Sequence, residues 1–381
     1  MAQRQNRSDD TDKWIYGFGN GSDDALTISG NTTEAPIDAN CSGTSGTTSI
    51  SATNASFAIG QLILIYQTRG TGATNWELNR IAGYSAGTIT TSHNLCNAYS
   101  TSGENVAQVR VLKQYTDVTI NTGVTYTTKY WNRVGPGGII GFFAKGKVTV
   151  TGIIAANGTN GTTNTENGST GAGFGGGGAS GSDKDGGWAG EGTTRDSHDG
   201  DNAYRKSGPN GNGGGSGISN SNTVYGSGGG NGTQGASGTN FVGGAAVGAA
   251  SLVTMSFGGG GGGNNTNSTP NRCSGASGGG IIAIFAKEIE VTGGIRTNGG
   301  AGVGSWGAGG AGGSILLKAV IATLGSNLVT ASAGGGPIAG GVGRIHLDYA
   351  TSYTGTTSPT IDVTKDSTLS SPSANFFAFF N

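Results

Sequence analysis

The most informative stretch of the sequence is Gly137-Gly138-Ile139-Ile140-Gly141-Phe142-Phe143-Ala144-Lys145, which recurs as Gly279-Gly280-Ile281-Ile282-Ala283-Ile284-Phe285-Ala286-Lys287. Val-Thr-Gly, four further residues and Asn-Gly follow each copy, ending at Gly158 and Gly299. A looser third copy starts at Gly312, and a partial fourth copy at Gly343. Each unit reads as an apolar strand, a turn, a second strand and an Asn-Gly corner, and such a unit has to stack on its neighbours to bury its apolar face. The repeat therefore predicts a parallel β-solenoid.

An insertion of glycine-rich sequence, 159–278, separates the first two copies and contains tracts such as Gly175–Gly178, Gly213–Gly215 and Gly258–Gly263. Two interpretations stay open. Glycine-rich segments are commonly flexible linkers. The tracts also suit polyglycine-II-type helices packed side by side, because a residue without Cβ allows close backbone approach. Ordering them costs about 1–2 kcal/mol per residue, so the packed arrangement, which we favour, requires extensive hydrogen bonding between tracts.

The rest of the chain reads as strands and turns. Residues 1–13 form a polar arm, and 14–134 a β domain, with apolar strands such as 60–67 and 106–111 separated by glycine-containing turns. No segment shows a helical period. We predict an all-β protein: this N-terminal β domain, then a glycine-rich solenoid-like scaffold over 135–350 that carries the polyglycine-II-type insertion, and a C-terminal tail over 351–381.

Composition limits the function and the location. The 381 residues include 79 glycines, only 11% are charged, and the net charge is −1. Without a basic patch, nucleic acid is not an expected partner. Without a run of 18 apolar residues, no membrane insertion is expected. The body resembles a secreted surface protein, yet the hydrophilic start has no signal peptide. These features favour a virion protein that assembles in the host cytoplasm and acts outside the cell. Location on a cell surface is the alternative.

The residues that bear reactive groups give no specific motif. Cys41, Cys96 and Cys273 are expected to be free thiols, with a Cys41–Cys96 disulfide as the alternative. The densest acidic cluster supplies weak Ca²⁺ candidates, and a solvated loop is the default interpretation. A carboxylate pair for glycoside hydrolysis is the third interpretation. The Ca²⁺ candidates are Asp183, Asp185, Asp199 and Asp201. We predict no catalytic residue, no other cofactor and no enzymatic activity.

Aromatic residues spaced through the glycine-rich sequence are the better binding candidates. One interpretation is that each ring fills a gap between the solenoid and the insertion. The other is that rings on exposed loop tips stack on sugar faces or receptor loops, because a rigid scaffold commonly presents its recognition residues on loops. The receptor-binding candidates are Trp188, Tyr204, Tyr225, Phe241 and Trp306.

Two stretches carry a resemblance to known proteins. The segment Phe18-Gly19-Asn20-Gly21-Ser22-Asp23-Asp24-Ala25-Leu26-Thr27-Ile28-Ser29-Gly30 resembles the opening of phage tail-fibre-like proteins, although Asp24 replaces the second glycine of their Gly-Ser-Asp-Gly turn. The glycine tracts interleaved with Ile-Ile-x-x-Phe-Ala-Lys strands resemble glycine-rich phage adhesins, in some of which polyglycine-type helices display receptor-binding loops. The resemblance supplies no binding residue to transfer.

Together these features predict a structural virion protein, a tail fibre or adhesin without catalysis. Its expected partners are a host surface glycan or outer-membrane protein, other virion proteins and further copies of itself in a homo-oligomer. A bacterial surface or filament subunit is the first alternative. A glycan depolymerase built on a β-solenoid is the second.

Overall fold

The computed structural model describes residues 17–163, 168–179, 187–195, 209–216, 225–239, 241–264, 272–304 and 306–370. Within these ranges the protein is all-β, as predicted, and its helical content is a 3-10 turn at Ser367–Ser370. The strands are β1 (Leu26–Ile28), β2 (Thr32–Thr33), β3 (Asp38–Asn40), β4 (Ser42–Gly43), β5 (Ser49–Ser51), β6 (Leu62–Arg69), β7 (Trp76–Ser85), β8 (Thr88–Thr91), β9 (Val106–Tyr115), β10 (Val118–Ile120), β11 (Thr125–Thr127), β12 (Ile139–Val150), β13 (Ile153–Ala155), β14 (Ile281–Val291), β15 (Gly294–Arg296), β16 (Ser314–Thr330), β17 (Arg344–Ser358) and β18 (Asp362–Lys365).

The four repeat copies stack in parallel and in register. The first copy, β12, pairs with β14 so that Ile139 lies opposite Ile281. Strand β14 pairs with β16, which pairs with β17, and β18 closes the described part of the stack. Each successive copy therefore adds one rung to the stack, and the solenoid-like arrangement follows from the repeat.

The same stack continues into the N-terminal part of the chain. Strand β1 pairs with β10, β10 pairs with β12, and β11 pairs with β2 and β13, all in parallel. The last residues of β9 also pair with β12. Strand pairing thus continues across the predicted boundary at residue 135, and segments on either side contribute rungs to one scaffold.

Each central strand is buried on both faces, as expected of a parallel sheet that is covered on two sides. Ile140 and Phe142 point into the solenoid core with the corresponding residues of the other rungs. Ile139 and Phe143 point the other way, into a second core under the antiparallel sheet and the glycine tracts. There Phe143 stacks on Phe285, its partner in the next copy, with ring centroids 4.7 Å apart.

The corners of the repeat are held by an asparagine ladder. Asn157 Oδ1 accepts a hydrogen bond from Asn298 N at 2.8 Å, and Asn298 Oδ1 accepts one from Ser332 N at 2.8 Å. The two asparagines are those of the Asn-Gly corners in the first two copies. Each therefore ties its own corner to the corner of the following rung.

An antiparallel sheet packs beside the base of the scaffold. Strand β9 lies between β3 and β6, β6 pairs with β7, and the second half of β7 turns away to pair with β8 and then β5. The sheet curls around its own apolar core, which includes Ile50, Ile63 and Val109.

The described glycine tracts are packed together, not extended into solvent, and the bonds of 258–263 show how. Gly258 and Gly261 donate to Gly279 and Ala276 of one neighbouring tract. Gly259 and Gly262 donate to Gly230 and Ser227 of a second tract, and Gly260 and Gly263 donate to Glu191 and Trp188 of a third. Residues three apart thus point the same way, which is the period of an extended helix with three residues per turn.

Tract 275–280 repeats this pattern with other partners. Gly275 and Gly278 donate to one tract, Ala276 and Gly279 to a second, and Ser277 and Gly280 to a third. Close packing requires glycine at many of these positions. A Cβ added at Gly260, for example, would collide with the carbonyl oxygen of Gly175. We refer to these packed segments as the glycine bundle.

Candidate functional site

Several tracts of the glycine bundle end at one level. Gly263 N donates to Trp188 O, Gly262 N to Ser227 O and Asn264 N to Cys273 O, at 2.9–3.2 Å. These bonds place the ends of the tracts beside one another, on the side from which the aromatic residues project. We call this surface, defined by Tyr225, Phe241, Cys273 and Trp306, the aromatic end of the bundle.

Two of the predicted binding residues meet at this end. The rings of Tyr225 and Trp306 lie 4.9 Å apart between centroids, at an interplanar angle of 47°. Both residues are half-buried. Their tracts run together beneath them, since Gly229 N donates to Gly309 O. The pair is thus carried by two neighbouring tracts that come from distant parts of the sequence.

Phe241 belongs to the same end through the segment that follows Tyr225. Tyr225 N donates to Thr239 Oγ1 at 3.1 Å, and Thr239 N donates back to Tyr225 O at 3.3 Å. The carbonyl of Phe241 accepts from Ser227 Oγ at 3.0 Å and from Gly238 N at 3.0 Å. Phe241 is half-buried, and Val242 beside it is exposed.

The other aromatic candidates do not add to this surface. Trp188 is only 2% exposed, and its backbone is hydrogen-bonded to Gly178 and Gly263 inside the glycine bundle. Of the two interpretations left open for these rings, the burial of Trp188 agrees with a ring that fills a gap and not with one on an exposed loop tip. Tyr204 and the Ca²⁺ candidates Asp183, Asp185, Asp199 and Asp201 lie outside the described residues.

Polar groups border the aromatic rings. Cys273 N donates to Asn264 Oδ1 at 2.8 Å, and Thr163 forms an isolated antiparallel bridge with Cys273. Burial raises the pKa of the Cys273 thiol, so this cysteine is not a reactive thiolate. Cys41 and Cys96 are not joined in a disulfide, as the main expectation had it.

No metal site accompanies this surface, and in the part of the chain that the structure describes no group of three or more His, Cys, Asp or Glu side chains is arranged to hold a metal ion. Nor does any helix in that part have the length and apolar character needed to cross a membrane.

Sequence reasoning missed a buried charge cluster at the base of the glycine bundle. Glu191 is fully buried; its carboxylate forms an ion pair with Arg69 and accepts from Trp131 Nε1 at 3.0 Å and Gly175 N at 2.9 Å. Arg69 ends strand β6 of the antiparallel sheet, whereas Glu191 belongs to the bundle. The sequence did contain one sign of this cluster, a single Glu between two glycines. If such a tract is buried, its charged residue needs a partner of opposite charge.

Comparison with known proteins gave structural neighbours only. No protein-family profile and no curated protein matches the sequence. One solved structure that it resembles is the Gp54 tailspike of Acinetobacter baumannii bacteriophage AP22 in complex with A. baumannii capsular saccharide, at 10% identity and a TM-score of 0.19. Another is the tailspike protein gp49 from Pseudomonas phage LKA1, at 10% identity and a TM-score of 0.22.

The chain aligns over 90% and 88% of its own length but spans only 57% and 51% of these two tailspikes. The comparison corrects one prediction. We expected the chain not to be an enzyme, but the solved structures that it resembles are tailspikes, one of them in complex with a capsular saccharide. The non-enzymatic assignment is therefore withdrawn.

Proposed function

We propose that this chain is a phage virion protein of the tail-fibre or tailspike kind, and that the aromatic end of its glycine bundle binds a glycan on the host surface. In this proposal the tracts act as polyglycine-type helices. They hold the binding residues rigidly on a scaffold of stacked strands, and the chain works outside the cell as part of a homo-oligomer with other virion proteins.

The observation that carries the proposal is the Tyr225–Trp306 pair. Tyr and Trp residues are enriched at binding interfaces, because each combines a large apolar ring with one polar group. The tracts beneath the pair are bonded at three-residue intervals, which fixes the rings before a ligand arrives. Preorganisation of this kind lowers the entropic cost of binding.

The first prediction concerns these two rings. Trp306→Ala and Tyr225→Ala should each weaken binding of the purified chain to host cells or to extracted host polysaccharide by about tenfold or more. The reference for this size is the stacking of a nucleic-acid base on one aromatic side chain, which contributes on the order of 1–3 kcal/mol. Binding is measured by biolayer interferometry, and reducing-end release from the same polysaccharide is followed in parallel to record any hydrolysis.

Tyr353→Ala is the matched control, because Tyr353 is also half-buried and in an aromatic pair, with Tyr349 at 5.0 Å, but lies on the scaffold. It should bind like the unmodified chain. Equal affinity of all four proteins for the polysaccharide would contradict the proposed site. The chain could also bind host cells from which the polysaccharide has been removed but not host cells that lack outer-membrane proteins. That result would show that the receptor is a protein and not a glycan.

A further inference from the structure

The last rung of the scaffold has a free edge. Strand β17 pairs with β16 along its whole length, from Arg344 to Ser358. On its other side, β18 pairs only with residues 346–349 of β17. Among the residues that the structure describes, no strand pairs with 350–358 on that side. This free part of β17 therefore presents a row of backbone N–H and C=O groups without a strand partner, and natural proteins commonly cover such an edge.

The solenoid core is incompletely covered at this edge. Tyr353 ends an inward-facing column that runs through the rungs as Val148, Ile289, Ala322 and Tyr353. The first three members of the column are buried, whereas Tyr353 is only half-buried. Tyr349 also packs against the solenoid core and is likewise only half-buried. A further strand over 350–358 would bury the end of the core as each lower rung is buried by the rung above it.

The chain returns to this place after β18. Asp366 N donates to Tyr349 O at 2.7 Å. In the 3-10 turn that follows, Leu369 is buried in an apolar cluster that includes Ala350. The described chain therefore reaches Ser370 close to the start of the free part of β17. Six residues in extended form span about 20 Å, so the segment that begins six residues further on can reach this edge.

The composition of that segment suits the free edge. The run Phe376-Phe377-Ala378-Phe379-Phe380, which lies outside the described residues, is apolar throughout. Phenylalanine favours strands, and exposing four such rings to water is unfavourable. Because β18 already lies one rung above β17, the space beside it over 350–358 has the depth of one strand. We propose that residues 376–380 of the same chain pair with the free part of β17 and complete the last rung.

The test is hydrogen–deuterium exchange of the full chain, followed by mass spectrometry at the amides of 350–358 that point away from β16. A strand places alternate residues on opposite faces, so two double variants are compared: Phe376→Ser with Phe380→Ser, and Phe377→Ser with Phe379→Ser. The variant that removes the core-facing rings should speed exchange of these amides by about tenfold or more, because the edge opens more easily when apolar contacts are lost. The other variant should have a clearly smaller effect. Asn381→Ser, which changes a polar residue beyond the run, is the matched control and should leave exchange unchanged.

Three results would overturn the inference. The first is exchange of these amides in the unmodified chain at the rate of an unstructured peptide, a result that does not depend on whether any variant folds. The second is an equal effect of the two double variants, since the two faces of a paired strand differ. The third is slow exchange that appears only as the protein concentration rises, together with a larger mass in light scattering, because the edge would then be covered by a second copy. None of these residues belongs to the aromatic end of the bundle, so each of these results leaves the proposed function standing.

Discussion

At the scale of single residues, glycines such as Gly260 are required because the neighbouring backbone leaves no room for a Cβ atom, and not because a turn needs their conformational freedom. Gly260 lies against Gly175, with a carbonyl oxygen where a Cβ would be. Gly335 belongs to the same glycine-rich region, yet a Cβ added there meets nothing within 4 Å. The two positions therefore test whether close tract packing, rather than glycine content as such, stabilises this region.

Gly260→Ala should lower the free energy of unfolding by about 1–3 kcal/mol or more, the range seen when a well-packed interior is overfilled. Gly335→Ala should leave it unchanged or raise it slightly, because alanine restricts the unfolded chain. Urea denaturation monitored by tryptophan fluorescence measures both. Equal effects of the two substitutions would mean that the tracts are not packed as described.

The sequence indicates which residue types are suited to binding, but not which of these side chains are exposed or lie together. For Trp188 the sequence left open whether the ring fills a gap or lies at a loop tip, because its neighbourhood is polar and rich in glycine. Its direct neighbours, Gly187 and Ala189, are small enough for tracts to close over it. Tyr225 and Trp306 were both expected as binding residues, yet nothing in the sequence indicates that they meet, since their contact depends on which tracts are neighbours.

At the scale of elements, the ladder β16–β17–β18 carries a row of charges that links its strands. His346 Nε2 contacts Asp348 at 3.0 Å, and its Nδ1 contacts Asp362 at 2.8 Å, while Lys318 pairs with Asp348. Burial alone would raise the pKa of Asp348. The hydrogen bond from His346 and the charge of Lys318 outweigh it and bring the pKa to about 2.

A pKa below the ordinary value means that ionised Asp348 stabilises the folded state. That contribution is complete above about pH 4 and is lost as the pH falls towards 2, and a shift from 3.8 to about 2 corresponds to about 2 kcal/mol. The difference in stability between the unmodified chain and Asp348→Asn should therefore shrink from pH 6 to pH 2. Thermal unfolding at several pH values measures it, and a difference that stays constant would contradict this role.

Elements were predicted well where a repeat marks them. The in-register pairing of β12 with β14 follows directly from two nearly identical apolar stretches, because stacked copies bury equivalent side chains. The partners of each glycine tract were beyond prediction. A run of glycines has no side chains to distinguish one neighbour from another, so only the lengths of the connections and the flanking residues select them.

At the scale of the whole molecule, the Arg69–Glu191 pair joins the antiparallel sheet to the glycine bundle. Glu191→Gln keeps the shape of the side chain but removes the carboxylate that pairs with the buried Arg69. The carboxylate of Glu104, at 3.8 Å from Arg69, remains. Breaking such a pair typically costs about 3–5 kcal/mol. We expect a loss of that size in urea denaturation.

Glu288→Gln is the control, since Glu288 pairs with Lys147 at 2.8 Å on the surface, where an ion pair contributes at most about 1 kcal/mol. The loss from Glu191→Gln should clearly exceed the loss from Glu288→Gln. Comparable small losses would show that the sheet and the bundle are held together without the buried pair.

The most direct test of the proposed function is a structure of the chain determined with fragments of its host's surface polysaccharide. We predict saccharide density against the Tyr225 and Trp306 rings at the aromatic end of the glycine bundle. Density confined to the scaffold or to the antiparallel sheet, with these two rings free under saturating polysaccharide, would contradict the account.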